Sequence, residues 1–236
     1  MGVRPRPAPN LPERLREISR LLARRFGRPE ACGHEIAPVQ NLVLTILSQN
    51  TTDGNRDRAY ETLMKRFPSL AELASAKPAE VEEAIRVGGL AKAKARSILG
   101  ALSRMKGERG EYSLDFLRSM SLPEARRYLT SFPGIGVKTA NVLLLFSFGL
   151  PAFPVDTHIL RVTKRLGLVP ANATLAKAAL SLEPHVPEDA HGPLHLNLIR
   201  VGRELCRPRA PLCPSCPLLP VCPEGKRNTK GKRSPA

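Results

Sequence analysis

The stretch Phe132-Pro133-Gly134-Ile135-Gly136-Val137-Lys138-Thr139-Ala140-Asn141 lies between two segments that read as helices. Upstream, Ser121-Leu122-Pro123-Glu124 is a capping box, in which the serine hydroxyl and the glutamate each satisfy an orphan amide at a helix start. That helix runs to near Thr130. Downstream, the apolar run Val142 to Phe146 marks a second helix. Two glycines two positions apart let the chain reverse without Cβ clashes and leave N–H groups exposed where the second helix begins. Amides at the positive end of a helix attract anions. A plain αα-turn would use the same glycines, so this stretch sets a helical hairpin and leaves the anion open.

The helical pattern extends outward in both directions. Leu11, Leu15, Ile18, Leu22 and Phe26 recur at three- and four-residue spacing, and Gly27 stops the run. A second helix carries Val39, Leu42, Val43, Ile46 and Leu47. A third follows Thr52-Asp53, with Ala59, Leu63, Met64 and Phe67 on one face. Pro78 opens another, which Gly88-Gly89 closes, and Ile98, Leu102 and Met105 mark the next, which Gly107 ends. No stretch alternates polar and apolar residues, so the fold class is all-α. There is no tandem repeat and no flexible linker. Residues 1–9 read as a disordered Pro-rich arm, and residues 224–236 as a basic disordered tail.

The 236-residue chain, 42 % hydrophobic and 25 % charged, has the composition of a globular protein. Its longest apolar run, Val142 to Phe146, is far short of the ~18–20 residues of a membrane span. The basic N-terminus has no apolar segment behind it, so a secretory signal is not expected and a cytoplasmic location is. The net charge is +16, and setting aside Arg4, Arg6, Lys226, Arg227, Lys230, Lys232 and Arg233 in the two ends still leaves +9. A basic body of this kind suits a polyanion, of which nucleic acid is the usual one.

Cys206, Cys213, Cys216 and Cys222 fall within seventeen residues, spaced C-x6-C-x2-C-x5-C. In a reducing compartment such a group reads as metal ligands rather than disulfides. Spacing alone admits zinc or an iron–sulfur cluster. Pro208, Pro211, Pro214, Pro217 and Pro220 stiffen the loop. The fifth cysteine, Cys32, reads as a buried small hydrophobe.

The hairpin motif Pro-Gly-Ile-Gly-Val-Lys-Thr-Ala-Asn resembles the helix-hairpin-helix of the endonuclease III family of DNA glycosylases. Eighteen residues beyond Lys138, Val155-Asp156-Thr157-His158 resembles that family's aspartate motif, and the cysteine spacing is similar to its 4Fe–4S loop. The resemblance spans roughly Leu11 to Cys222. It implies that Lys138 is the nucleophile, Asp156 its partner, and the four cysteines the ligands of a 4Fe–4S cluster. Gly134 and Gly136 would meet a DNA phosphate, with Arg203 beside the cluster as a further DNA contact. Leu47-Ser48-Gln49-Asn50-Thr51-Thr52-Asp53 resembles the segment that fills the gap left by an extruded base. Asn50 stands at the inserting position, where many members carry glutamine, and Gln49 is the alternative; a polar helix end with Asp53 as cap is the bland reading. Gly88-Gly89-Leu90 resembles the turn that wedges a leucine into the stack, with Lys92 and Lys94 as phosphate-seeking flanks; core packing is the competing role of Leu90. His195 also matches a family position and is given no chemistry, whereas His158 is placed near the pocket.

What the resemblance implies for the whole chain is a monomer of two all-α lobes flanking a cleft. One is a six-helix lobe over residues 30–146, and the other, carrying the cluster, combines residues 10–29 and 147–223. Its partner is double-stranded DNA with damaged bases or abasic sites, and no membrane. The activity implied is a bifunctional DNA glycosylase and AP lyase acting on oxidised pyrimidines. Two rivals stand beside it: a monofunctional mismatch glycosylase of the same fold, and a non-catalytic iron–sulfur DNA-binding protein. Adenine-removing relatives lack lysine at the position of Lys138.

The chemistry asks for a neutral amine, and an ordinary lysine of pKa ~10.4 is almost wholly protonated at neutral pH. A helix N-terminus and partial desolvation disfavour the ammonium, while a nearby carboxylate favours it. For Asp156, capping the helix through Ile159 and Leu160 is a role compatible with catalysis.

Overall fold

A computed structural model describes residues 10–29 and 36–230. Their helices, in chain order, are α1 (Leu11–Phe26), α2 (Pro38–Leu47), α3 (Asp53–Arg66), α4 (Leu70–Ser75), α5 (Pro78–Ala84) and α6 (Ala91–Arg109). These are followed by α7 (Leu122–Thr130), α8 (Val137–Phe148), α9 (Thr157–Arg165), α10 (Leu175–Leu182), α11 (His191–Glu204) and α12 (Pro223–Lys230). No strand occurs among the described residues, as the missing alternation predicts. The chain divides into two compact units, residues 32–152 and residues 1–31 with 153–236. The expected arm at 1–9, Cys32 and the last six residues of the expected tail lie outside the described residues.

In the 32–152 unit, α8 is buried on nearly every side and packs against α2 and α7. Leu143 and Leu144 are fully buried in its core, as are Ile46 and Leu47 of α2. Each such side chain contributes about 1.5–3 kcal/mol by leaving water. The polar groups of α8 find partners: Arg126 Nε donates to Asn141 Oδ1 at 2.8 Å, and Asn41 Nδ2 donates to Ser147 Oγ at 2.6 Å. Phe148 and Ala152 belong to the same core, so the boundary lies after residue 152 rather than at 146. The apolar run simply continues past the point where the helix stops.

Caps set most of the remaining boundaries. Ser121 and Glu124 form the expected capping box at α7. At α3 the cap is Thr52, whose hydroxyl accepts from the Asn55 amide; Asp53 is the first helical residue and not the cap. Helix α6 runs through Gly107, which was expected to end it, to Arg109. Gly110, at φ +73°, then supplies the left-handed turn. A helix tolerates an interior glycine at about 1 kcal/mol when the flanking turns are packed.

In the other unit, α11 packs against both α1 and α9. Its crossing with α9 needs Gly202, where a Cβ would stand 2.7 Å from His158 Cβ. Arg161 of α9 donates to the Gly202 carbonyl at 2.7 Å and to the Cys206 carbonyl at 2.8 Å. The expected disordered tail is helical from Pro223 to Lys230. Gly225 is buried against Leu219 and Cys222, and Glu224 pairs with Arg165 at 3.1 Å, which anchors this short polar helix.

Candidate functional site

The two hairpin glycines do different work. Gly134 has φ +76°, and a Cβ there would collide with Ser97 Oγ at 2.1 Å. The turn therefore presses directly onto α6. Gly136 has an ordinary φ of −88° and caps α8, and a Cβ on it would meet nothing within 4 Å. Its place is open, at the end of a helix whose first amides have no carbonyl one turn earlier to bind. Phe132 and Ile135 are buried and root the turn in the core. Arg104 steadies the entry, donating to Ser131 Oγ at 2.6 Å and lying 4.9 Å from the Phe132 ring centroid. Lys138 is the second residue of α8 and is half-buried.

The loop after α2 is fastened to this hairpin. Gln49 Nε2 donates to the Gly134 carbonyl and to Thr139 Oγ1, each at 3.2 Å. Its amide is thus engaged inside the unit, whereas Asn50 is exposed at the loop tip with φ +49°. The neighbouring turn also ends on a left-handed residue: Leu90 has φ +51° and is 58 % exposed, so it does not pack into the core. Asn50, Thr51, Thr52 and Asn55 share a groove with Val87, Gly88 and Gly89.

Lys94 departs from the sequence expectation of a phosphate-seeking flank. It is 1 % exposed, and its ammonium donates to the carbonyls of Leu47 and Gly88, each at 2.8 Å. Burial lowers its pKa, and both of these partners are backbone carbonyls rather than carboxylates. The sequence held a signal for this: Lys94 stands four residues before Ile98, in phase with Ala101, Leu102 and Met105 on the buried stripe of α6.

In the other unit, Asp156 is the N-cap of α9, and its Oδ1 accepts from the Ile159 amide at 2.8 Å. His195, buried, donates from Nδ1 to the Pro154 carbonyl at 2.9 Å, which holds the segment leading into Asp156. His158 accepts from Arg161 at 3.2 Å and packs on Gly202, a structural placement.

The four cysteines, free and half-buried, line one small cavity of about 30 Å³ together with Arg165, Leu219 and Gly225. Among the described residues no three His, Cys, Asp or Glu side chains converge tightly enough to hold a single ion. Several sulfurs receive donors: Gly225 N–H reaches Cys222 Sγ at 3.2 Å and Arg165 reaches Cys206 Sγ at 3.3 Å. Arg165 also binds the carbonyls of Arg207 and Pro208, tying the loop together. Burial pushes the Cys216 thiol up to about 11 and also raises Cys222. Thiols so placed stay protonated until a cation compensates their charge. Arg203, Arg207 and Arg209 beside the loop are exposed.

Residues 43–187 match the model of the HhH-GPD superfamily of base excision DNA repair proteins. The chain is 34 % identical over 199 residues to endonuclease III of Thermotoga maritima, covering 84 % of this chain and 87 % of that one. It is 37 % identical over 169 residues to a protein of Arabidopsis thaliana named as a DNA glycosylase, across 72 % of this chain but only 58 % of the plant protein. A solved structure of a trapped endonuclease III–DNA covalent intermediate superposes with a TM-score of 0.78 at 30 % identity, covering 92 % of this chain and 98 % of that one. None of the described helices is long and apolar enough to cross a membrane.

Proposed function

Because the chain belongs to the HhH-GPD superfamily of base excision DNA repair proteins, and within it to the endonuclease III family, we propose that it is a bifunctional DNA glycosylase and AP lyase. Its substrate is double-stranded DNA carrying oxidised pyrimidines or abasic sites, and it acts as a monomer. One observation carries this reading. A half-buried lysine, Lys138, stands on the first turn of α8, two residues after Gly136, the N-cap glycine, around which a Cβ would meet nothing within 4 Å.

Lys138 Nζ, as a free amine, bonds to C1′ of the extruded nucleotide while the bond from C1′ to the base breaks. The departing base takes that electron pair and a proton. Opening of the sugar ring leaves a Schiff base joining Lys138 to C1′. Its iminium acidifies the C2′ proton, and removal of that proton expels the 3′ phosphate by breaking the C3′–O bond, cutting the strand 3′ to the lesion. Water then releases Lys138. Asp156 accepts a proton and stabilises positive charge on the sugar. Its Oδ1 is occupied by the α9 cap, which orients the carboxylate and leaves Oδ2 for chemistry. Gly134 and Gly136 bring backbone amides to a phosphate. Asn50 fills the gap in the duplex and Leu90 enters the stack; the exposure of both tips and the internal engagement of Gln49 support that division.

Cys206, Cys213, Cys216 and Cys222 are assigned to a 4Fe–4S cluster. That all four line one cavity supports a single shared centre. When bound, such a cluster cross-links the loop from within, so that Arg203 and its neighbours meet phosphate from a fixed platform.

The test is borohydride trapping on duplexes bearing thymine glycol, dihydrouracil, an abasic site, uracil or mismatched thymine. The wild-type protein, loaded with iron, is expected to give a covalent adduct with the oxidised and abasic substrates. Lys138→Ala is expected to lose it by about a thousandfold or more while still binding DNA. Absence of any adduct from loaded wild-type protein overturns the lyase assignment.

A further inference from the structure

A buried ammonium without a carboxylate is costly unless dipoles replace its water. Lys94 finds two. Leu47 is the last residue of α2 and Gly88 the last of the 3-10 turn Arg86–Gly88, so both carbonyls belong to helical ends that carry partial negative charge. The two ends come from segments about forty residues apart in sequence. Each is followed shortly by an exposed residue in a left-handed conformation: Asn50 three positions after Leu47, and Leu90 two positions after Gly88. Such a conformation in a non-glycine residue costs about 1 kcal/mol or more and persists only where its surroundings enforce it.

The packing around the ammonium is equally specific. A Cβ on Gly88 would stand 3.3 Å from Ala59 Cβ and 3.8 Å from Lys94 Nζ, so the turn sits close on both α3 and the lysine. Residues of both loops line the groove between them. The two hydrogen bonds of Lys94 thus link the bases of both loops.

We propose that Lys94 is a positioning residue that latches the Asn50 loop to the Leu90 turn, so that gap filling and wedging act on the duplex as one rigid tool. This rests on the assignment of Asn50 and Leu90 to DNA above. Lys94 touches no substrate. Without its bonds, each tip would still exist but the two would no longer hold a common register. The consequence is selective: extrusion of a base from a paired duplex needs both tips together, whereas attack on an abasic sugar in a single strand needs neither.

The experiment compares full-length, iron-loaded wild-type protein with Lys94→Met, a near-isosteric side chain without donors. On a thymine glycol duplex, kcat/KM is expected to fall about tenfold or more, with strand cleavage of single-stranded abasic DNA within about twofold of wild type. A 2-aminopurine opposite the lesion is expected to lose the fluorescence rise that reports unstacking. The double-mutant cycle of Asn50→Ala with Leu90→Ala is expected to show coupling in the wild-type background and additivity in Lys94→Met. If Lys94→Met does not accumulate as folded protein, Lys94→Leu, also without donors, carries the same comparison. Equal losses on both substrates, or unchanged coupling, overturn the latch. Wild-type protein inactive on every substrate instead overturns the functional assignment on which the latch rests, so the two failures are distinguishable.

Discussion

The Gly134–Lys138 hairpin and the Cys206–Cys222 loop are both short, irregular segments that present chemistry, yet they reach their shapes by opposite means. The hairpin is complete from its own chain. A left-handed glycine pressed on Ser97, two buried apolar side chains and the amide of Gln49 fix it without any guest. The cysteine loop has 3-10 turns, prolines and the many bonds of Arg165, but its four thiols face a shared cavity and burial keeps the inner ones protonated. One region is prebuilt by sterics; the other is prepared by its chain and, with the proposed cluster, completed by a bound centre. The proposed nucleophile Lys138 would benefit from the first arrangement, because its position then does not depend on metal supply.

That contrast can be broken at either end. The largest effect is expected from Cys216→Ser. Iron content falls toward background, and the residues 153–230 lose several kcal/mol of stability as the metal's contribution disappears. Hydrogen exchange resolved by segment is the check: amides of α8 and the hairpin keep their protection while those of α11 and α12 lose it. Loss of protection in both units together would remove the distinction. Next comes Gly134→Ala, where steric overlap with Ser97 and the positive φ together cost about 3 kcal/mol. Denaturant titration measures this, and iron content should stay at the wild-type level. The smallest is Gly136→Ala. With φ −88° and open space around it, stability changes by under about 0.5 kcal/mol, whereas affinity for duplex DNA falls about fivefold as the methyl obstructs the phosphate. A large loss of stability in Gly136→Ala would mean that the two glycines are equivalent after all.

What could be read from the sequence divides along a physical line. Features set by local chemistry were legible: the capping box at Ser121, the glycine turn at 134–136, the apolar phase of α1 and α2, and the clustered cysteines. Features set by contacts distant in sequence were not. Gly107 resembles a helix stop, but Glu108, accepting from Tyr128, and Arg109, over the Phe116 ring, accompany α6 on to Gly110. Residues 223–230 look like a solvated tail, yet Gly225 and Glu224 find partners on the cysteine loop and α9. Lys92 and Lys94 are alike in composition but not in phase: only the second falls on the buried stripe, and its carbonyl partners lie six and forty-seven residues away. For the proposed DNA contacts, sequence put Asn50 at the inserting position but left Gln49 as an alternative. The difference between them is one of hydrogen bonding to the hairpin, which no local pattern records.

Leu90, in its proposed role as a wedge, illustrates what a protein gives up to keep a tool exposed. An apolar residue in a left-handed turn, more than half in water, is disfavoured both by its backbone and by its solvent. Glycine at this position would relieve the first burden and remove the second. A population of variants selected only for thermal resilience should therefore drift toward glycine at residue 90, and one selected for survival of oxidised genomes should return to a bulky side chain. The leucine would then be a footprint of use written against the grain of folding.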